Sequence, residues 1–221
     1  MLLEKILKLL KAYGFIYVRG LFGTIRLSIT TMVFALILGT LVSLVKNSRI
    51  RLLRGLVNIY IEVLRGTPPL LQLYFFWILL PKLIPVELSD TACILTALIV
   101  NASAYVAEVI RAGIQAVDPG QREAALSLGL SERNTMMRII LPQAVRNILP
   151  ALGNEFINII KGTSLASVFF INELTTSYRT VQAATFLALP SIIIAGMIYL
   201  MLNFILSKGV GSFERRLQIS D

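Results

Sequence analysis

Long apolar runs separated by short polar stretches dominate the chain. Residues 2–11, LLEKILKLLK, place Leu3, Ile6, Leu7 and Leu10 on one helical face and Glu4, Lys5, Lys8 and Lys11 largely on the other. That periodicity predicts a short amphipathic helix lying in a membrane interface. Apolar runs follow over residues 21–45, 56–80, 91–116, 143–170 and 186–206. Each is long enough for a spanning helix, which needs roughly 20 apolar residues. The expected fold is therefore an all-α membrane protein, one domain over residues 1–221, with five transmembrane helices and a short N-terminal interfacial amphipathic helix. Two places invite a helix break: Gly66-Thr67-Pro68-Pro69 in the second run and Gly162-Thr163-Ser164 in the fourth.

Composition agrees. Hydrophobic residues make up 56% of the 221, charged residues only 15%, and mean hydropathy is +0.78. Soluble domains carry about 25% charged residues. The net charge of +9 would raise nucleic acid as a partner of a soluble chain. Here no basic cluster alternates with aromatics for base stacking, so basic cytoplasmic loops explain it and no nucleic acid partner is expected.

Lysine and arginine bias sets the expected orientation. Lys46, Arg49, Arg51, Arg54, Arg111, Arg122, Arg133, Arg138, Arg146, Lys208, Arg215 and Arg216 fall on one side. Lys5, Lys8, Lys11, Arg19, Lys82 and Arg179 fall on the other. The first set marks the cytoplasm, with the N-terminus outside and the C-terminus inside a bacterial-type cytoplasmic (inner) membrane; the three N-terminal lysines oppose this. With one cysteine, Cys93, and no histidine, there is no Cys-based metal site, no Ser-His-Asp triad and no His-ligated zinc. The first run lacks a small-residue cleavage pattern and is broken by Lys11 and Arg19, so it reads as retained rather than as a signal peptide.

The longest polar stretch is DPGQREAALSLGLSERNTMMRIILP, residues 118–142. Asp118-Pro119-Gly120 is a turn signal. Gln121 to Leu128 reads as a helix ended by Gly129. Ser131-Glu132-Arg133-Asn134 opens a second helix, and Pro142 marks its junction with the fourth span. Ala124, Ala125 and Leu128 form a small apolar face ringed by Arg122, Glu123 and Ser127, suited to docking into a groove on another protein.

This stretch resembles the EAA loop of ABC importer permeases. Glu123, Ala124, Ala125, Gly129, Ile139, Leu141 and Pro142 match each signature position. EVLRGTPPLLQ (62–72), NASAYVAEVIRAGIQAV (101–117), LPQAVRNILP (141–150) and KGTSLAS (161–167) are similar to the polar-amino-acid subfamily, and the likeness covers roughly residues 15–215. The second proline of RGTPPL departs from the usual pattern. The resemblance implies a transport subunit that is not an enzyme. Glu123, Ala124, Ala125 and Gly129 would couple it to an ATPase. Two ATP-binding subunits would carry ATP and magnesium, since no Walker-type phosphate loop occurs in this chain. A second permease subunit (a copy or a paralogue) and an extracytoplasmic amino-acid-binding protein complete the expected assembly.

Ionisable residues inside spans are costly and mark function by default. Asn154, Asn158, Lys161 and Leu165 share one helical face, with Glu155 beside it, and Ala104, Glu108, Arg111 and Gln115 share another. A zwitterion needs a cation or amide donors for its carboxylate and an acid for its ammonium. Lys161 or Arg111 offers the first and Glu108 the second, with Thr67, Asn154, Asn158, Thr163 and Ser164 as polar neighbours near the helix breaks. Glu155 adds an acid that can receive a basic side chain, which favours arginine, lysine or histidine. Against this, Glu108 with Arg111, and Glu62 with Arg65, can simply neutralise each other, and Lys161 can pair with Glu155 or Glu108. Import of another small solute, or secondary transport through Glu62, Glu108 and Glu155 as proton relays, stands as the alternative; the latter leaves residues 118–142 unexplained.

Overall fold

No proline precedes Pro68, and the chain runs as one helix from Leu2 to Lys46 (α1). The computed structural model describes the backbone of residues 2–46, 48 and 50–218 and side chains up to residue 216. Arg49, counted above among the basic residues, lies outside the described residues. At 1.5 Å per residue α1 is about 67 Å long, against a hydrocarbon core of about 30 Å. The separate interfacial helix expected at 2–11 is thus corrected: those residues are the first turns of α1. Leu9 and Tyr17 are buried with Leu174, Val181, Ile194 and Ala195, so tertiary packing carries the helix past the point where hydropathy changes.

Gly20, Thr24, Ser28, Thr31, Ala35, Gly39 and Ser43 form a buried stripe of small residues along α1. Such a stripe lets a neighbouring helix approach closely. At Gly20 and Thr24 that neighbour is the segment of Glu173, Leu174 and Ser177, and at Gly39 it is α4 (Asp90–Gln115). A Cβ added at Gly39 would stand 2.7 Å from Val106 Cγ1 and 2.8 Å from the Ser103 carbonyl oxygen.

Helices α2 (Arg51–Gly66) and α3 (Pro69–Leu83) meet at 114°. The cause is local. A residue before proline is pushed to extended backbone, and here two in succession are: Thr67 (ψ 150°) and Pro68 (ψ 130°). Gln72 covers the open end of α2, donating to the Leu64 carbonyl at 2.8 Å and to Thr67 Oγ1 at 2.7 Å. Asn101 on α4 donates in turn to Gln72 Oε1 at 2.9 Å. The bend is therefore fixed to the bundle by side-chain amides.

After α4 come α5 (Pro119–Ser127) and the single turn α6 (Glu132–Asn134), which passes through a π-helical segment (Thr135–Ile140) into α7 (Leu141–Gly162). A 3-10 segment (Thr163–Phe169) replaces α-helix at Gly162-Thr163, where the sequence invited a break. Phe170, at φ 54°, ends it. Helices α8 (Leu174–Thr185) and α9 (Ala188–Gln218) complete the chain. By length and apolarity, three described helices can cross a membrane: α1, α4 and, within α9, Ala188–Arg216. The bent α2–α3 pair is a fourth if taken as one span. The expected five are not reached on that measure, because α7 carries Asn147, Asn154, Glu155, Asn158 and Lys161 along its length.

Candidate functional site

A cavity of about 300 Å³ lies where α1, α3, α4, α7 and the 3-10 segment meet. Thr31, Pro69, Leu73 and Leu165 line it beside Leu98, Asn101, Ala102 and Tyr105 of α4 and Glu155, Asn158, Ile159 and Gly162 of α7. Both helix breaks thus reach its wall, one through Pro69 and the other through Gly162 and Leu165. Glu155 is the one ionisable carboxylate among these residues and no lysine or arginine is among them. The Asn158 amide donates to Glu155 Oε2 at 3.4 Å. Asn101 spends its amide protons on Gln72 Oε1 and the Leu64 carbonyl, which leaves its carbonyl oxygen as an acceptor. The ionisable and amide groups are weighted toward receiving protons, as suits a cationic guest.

Of the residues expected to bind substrate, only Glu155 and Asn158 line this cavity. Asn154 and Lys161 are exposed outside it; Lys161 forms no ion pair within 4 Å among the described residues but acts on Glu155 as a nearby positive charge. Thr67 Oγ1 donates to the Val63 carbonyl and accepts from Gln72. Thr163 and Ser164 donate back to the Ile160 and Lys161 carbonyls at 2.7 and 2.6 Å. Three hydroxyls expected at the site instead finish helix ends. Glu108 and Arg111 pair with each other, and Glu108 also meets Lys46 Nζ at 3.2 Å and Arg65 Nη1 at 4.0 Å. Arg65 turns to Glu108 rather than to Glu62.

Residues 118–142 form the expected turn, short helix and glycine stop. Asp118 Oδ1 caps α5 by accepting from the Gly120 amide at 2.6 Å. Gly129 has φ +83° with open space where a Cβ would lie. Glu123 and Ala124 are exposed and Leu128 is 81% exposed. Ala125, expected on the same docking face, is instead buried within the chain, where α5 packs on the π-helical segment. Arg122 and Glu132 clasp α5 to α6 at 2.7 Å.

The family model described as the binding-protein-dependent transport system inner membrane component matches residues 21–219. The chain belongs to this family. Within it, the chain groups with amino-acid ABC transport permeases. It is 38% identical over 202 residues to the arginine transport system permease protein ArtQ of Bacillus subtilis (strain 168), covering 91% of this chain and 92% of that one. It is 38% identical over 199 residues to the L-cystine transport system permease protein TcyB of the same organism, covering 90% and 85%. Among solved structures, an amino acid ABC transporter with histidines is 39% identical, with a TM-score of 0.91 over 96% of this chain and 98% of that one. The family is that of multi-pass inner-membrane permease subunits, whose ATP hydrolysis and substrate capture lie with other components.

Four residues that tie the helices together escaped the sequence reading. Asn101 lines the cavity and donates to Gln72, 29 positions away in sequence. Lys46 read as a loop cation. Glu173 is fully buried, accepting from the Thr175 amide at 2.7 Å and the Tyr199 hydroxyl at 2.9 Å and capping α8. Burial raises its pKa, and the backbone amides of Thr175 and Thr176 pull it back down. The Glu-Leu-Thr-Thr-Ser run held the signal, as an acid at a helix N-terminus.

Proposed function

We propose that this permease subunit imports basic amino acids, arginine, lysine or histidine, with Glu155 receiving the cationic side chain. The observation that carries this reading is the cavity's charge: one carboxylate, no lysine or arginine, and an amide oxygen from Asn101. Pro69, the first residue of α3, also lines the cavity, so the positive end of that helix's dipole stands at the wall for the substrate's carboxylate. The names of the arginine permease and of the transporter solved with histidines support the same class; the cystine permease marks the other outcome.

The assembly follows the family: a second permease subunit, two ATP-binding subunits that carry ATP and magnesium and dock on α5, and an extracytoplasmic amino-acid-binding protein. Substrate moves by alternating access through five spans, counting the bent pair and α7, with the N-terminus outside and the C-terminus in the cytoplasm. The test is equilibrium binding of arginine, lysine, histidine and glutamine to purified transporter without the external binding protein. Glu155→Gln should weaken arginine and lysine roughly ten- to hundredfold, the worth of a buried charge-assisted contact of about 1.5–3 kcal/mol, and glutamine much less. Equal losses for arginine and glutamine would remove the specificity role from Glu155.

A further inference from the structure

One helical turn beyond the cavity, on the side of α5, four charged side chains converge. The Glu108 carboxylate is met by Arg111 from its own helix, by Lys46 Nζ at 3.2 Å and by Arg65 Nη1 at 4.0 Å. Lys46 is the last residue of α1, and Arg65 stands in the last turn of α2. One carboxylate on α4 therefore holds the ends of two other helices. Arg65 also lies over the Tyr105 ring, 5.7 Å from its centre. Tyr105 is the α4 residue nearest α5 among those lining the cavity. Arg111 continues the chain of contacts to Gln115, the last residue of α4 before the turn into α5.

The contacts within this cluster are unequal. Arg65 makes the longest of them, its side chain is 44% exposed against 22% for Lys46, and its helix ends at the 114° bend. Partly exposed ion pairs at such distances contribute little to stability. Losing Arg65 leaves Glu108 still paired with Lys46 and Arg111, so no acid is stranded when the Arg65 side chain moves away, and stranding one is the expensive event.

We propose that Arg65, seated on Tyr105 and held by Glu108, is the gate that closes the cavity on its α5 side, and that it opens when its side chain leaves Glu108 and Tyr105 while the amide-pinned bend stays in place. The inference rests on the cavity being the substrate site. Glu108 is then a positioning residue, and the sequence-based expectation that it binds the substrate ammonium gives way to a role in timing.

The test uses the transporter assembled with its ATPase subunits in liposomes preloaded with labelled arginine, without ATP. Arg65→Met should raise arginine efflux by roughly five- to tenfold, within the usual range of coupling between sites, while equilibrium arginine binding stays unchanged. A second arm uses Arg65→Cys with Glu108→Cys in a Cys93→Ser background. Bridging the two thiols with a short bis-methanethiosulfonate reagent should stop ATP-driven uptake, and reductant should restore it. Unchanged efflux from well-folded Arg65→Met, or full uptake by the bridged transporter, overturns the gate. If Arg65→Met and Glu108→Gln lose arginine affinity by the same factor as Glu155→Gln, the cluster belongs to the binding site and the gate is overturned. If Arg65→Met leaks while Glu155→Gln binds arginine normally, the gate stands and Glu155 loses its role as the group that receives the side chain.

Discussion

Replacing Gly129 with valine should uncouple the permease from its ATPase while leaving the membrane bundle intact. At φ +83° a glycine is unstrained, and nothing within 4 Å would obstruct an added Cβ. The penalty is therefore backbone strain alone, about 1–2 kcal/mol for a left-handed L-residue. Opposing it is a small local clasp. The Gly129 amide donates to the Leu126 carbonyl at 2.9 Å, the Leu130 amide donates to the Ala125 carbonyl at 3.1 Å, and Arg122 meets Glu132 at 2.7 Å with both side chains more than half exposed. Each backbone bond is worth about 1 kcal/mol net and the exposed ion pair no more than about 1 kcal/mol. Strain and clasp are comparable, so the turn should rearrange and misplace α5 rather than unfold the bundle. A shift of 1–2 kcal/mol changes a population by roughly five- to thirtyfold. ATP-driven uptake in proteoliposomes should fall by that factor, with the melting temperature of the detergent-solubilised complex unchanged. Gly129→Asn, which tolerates the left-handed region, should lose far less. If asparagine and valine reduce uptake equally, or neither does, the strain argument is wrong.

Three further outcomes are expected. Gly39→Val should destabilise the bundle by about 1–3 kcal/mol, the usual penalty of overpacking, read as a lowered melting temperature, because its Cβ meets Val106 and the Ser103 carbonyl; a variant as stable as the parent would mean that α1 and α4 can part freely. Glu173 has a raised folded-state pKa, so the folded protein binds that proton more tightly than the unfolded chain. The group's stabilisation is then full below its ordinary value of about 4.3 and is lost as pH rises through the raised one. Melting followed across that window should flatten in Glu173→Gln, and an unaltered slope would assign the dependence to another group. Single cysteines at Ser89 and Ser131, in a Cys93→Ser background, should label from opposite faces of intact cells, and labelling of both from outside would refute the crossing of α4.

The parts of this fold that sequence revealed are those with local causes. Pro68-Pro69 dictates two extended residues, and so the bend, wherever the segment lies. Gly129 after a short helical run dictates the left-handed turn below α5. The length of α1 has no such local mark. Its first turns are amphipathic and its later ones apolar, and only the packing of Leu9 and Tyr17 on α8 and α9 joins them. The site divides in the same way. Periodicity put Glu155 and Asn158 on one face of α7, and both line the cavity. It also put Lys161 and Asn154 on that face, but which stretch of the face meets the cavity depends on the helices opposite. Glu108 was legible as an intramembrane acid. That its partners include Lys46 and Arg65 was not, since they stand 62 and 43 positions away in sequence.

The π-helical segment at Thr135–Ile140 joins α6 to α7 without a loop, and this sets the phase of everything after it. Each residue of an α-helix turns the chain by about 100°. A deletion within the segment can be absorbed as its wide turn relaxes to an ordinary one, but deleting one residue from the first turns of α7 would rotate the rest of that helix relative to residues 118–134 by roughly that angle. Glu155 would then leave the cavity, although no residue lining it had changed. Sequence between α5 and the cavity thus acts as a gear whose tooth count is fixed everywhere but in the wide turn. Substitutions in it can be absorbed by packing, whereas a change of length outside the wide turn would change which side chains line the cavity.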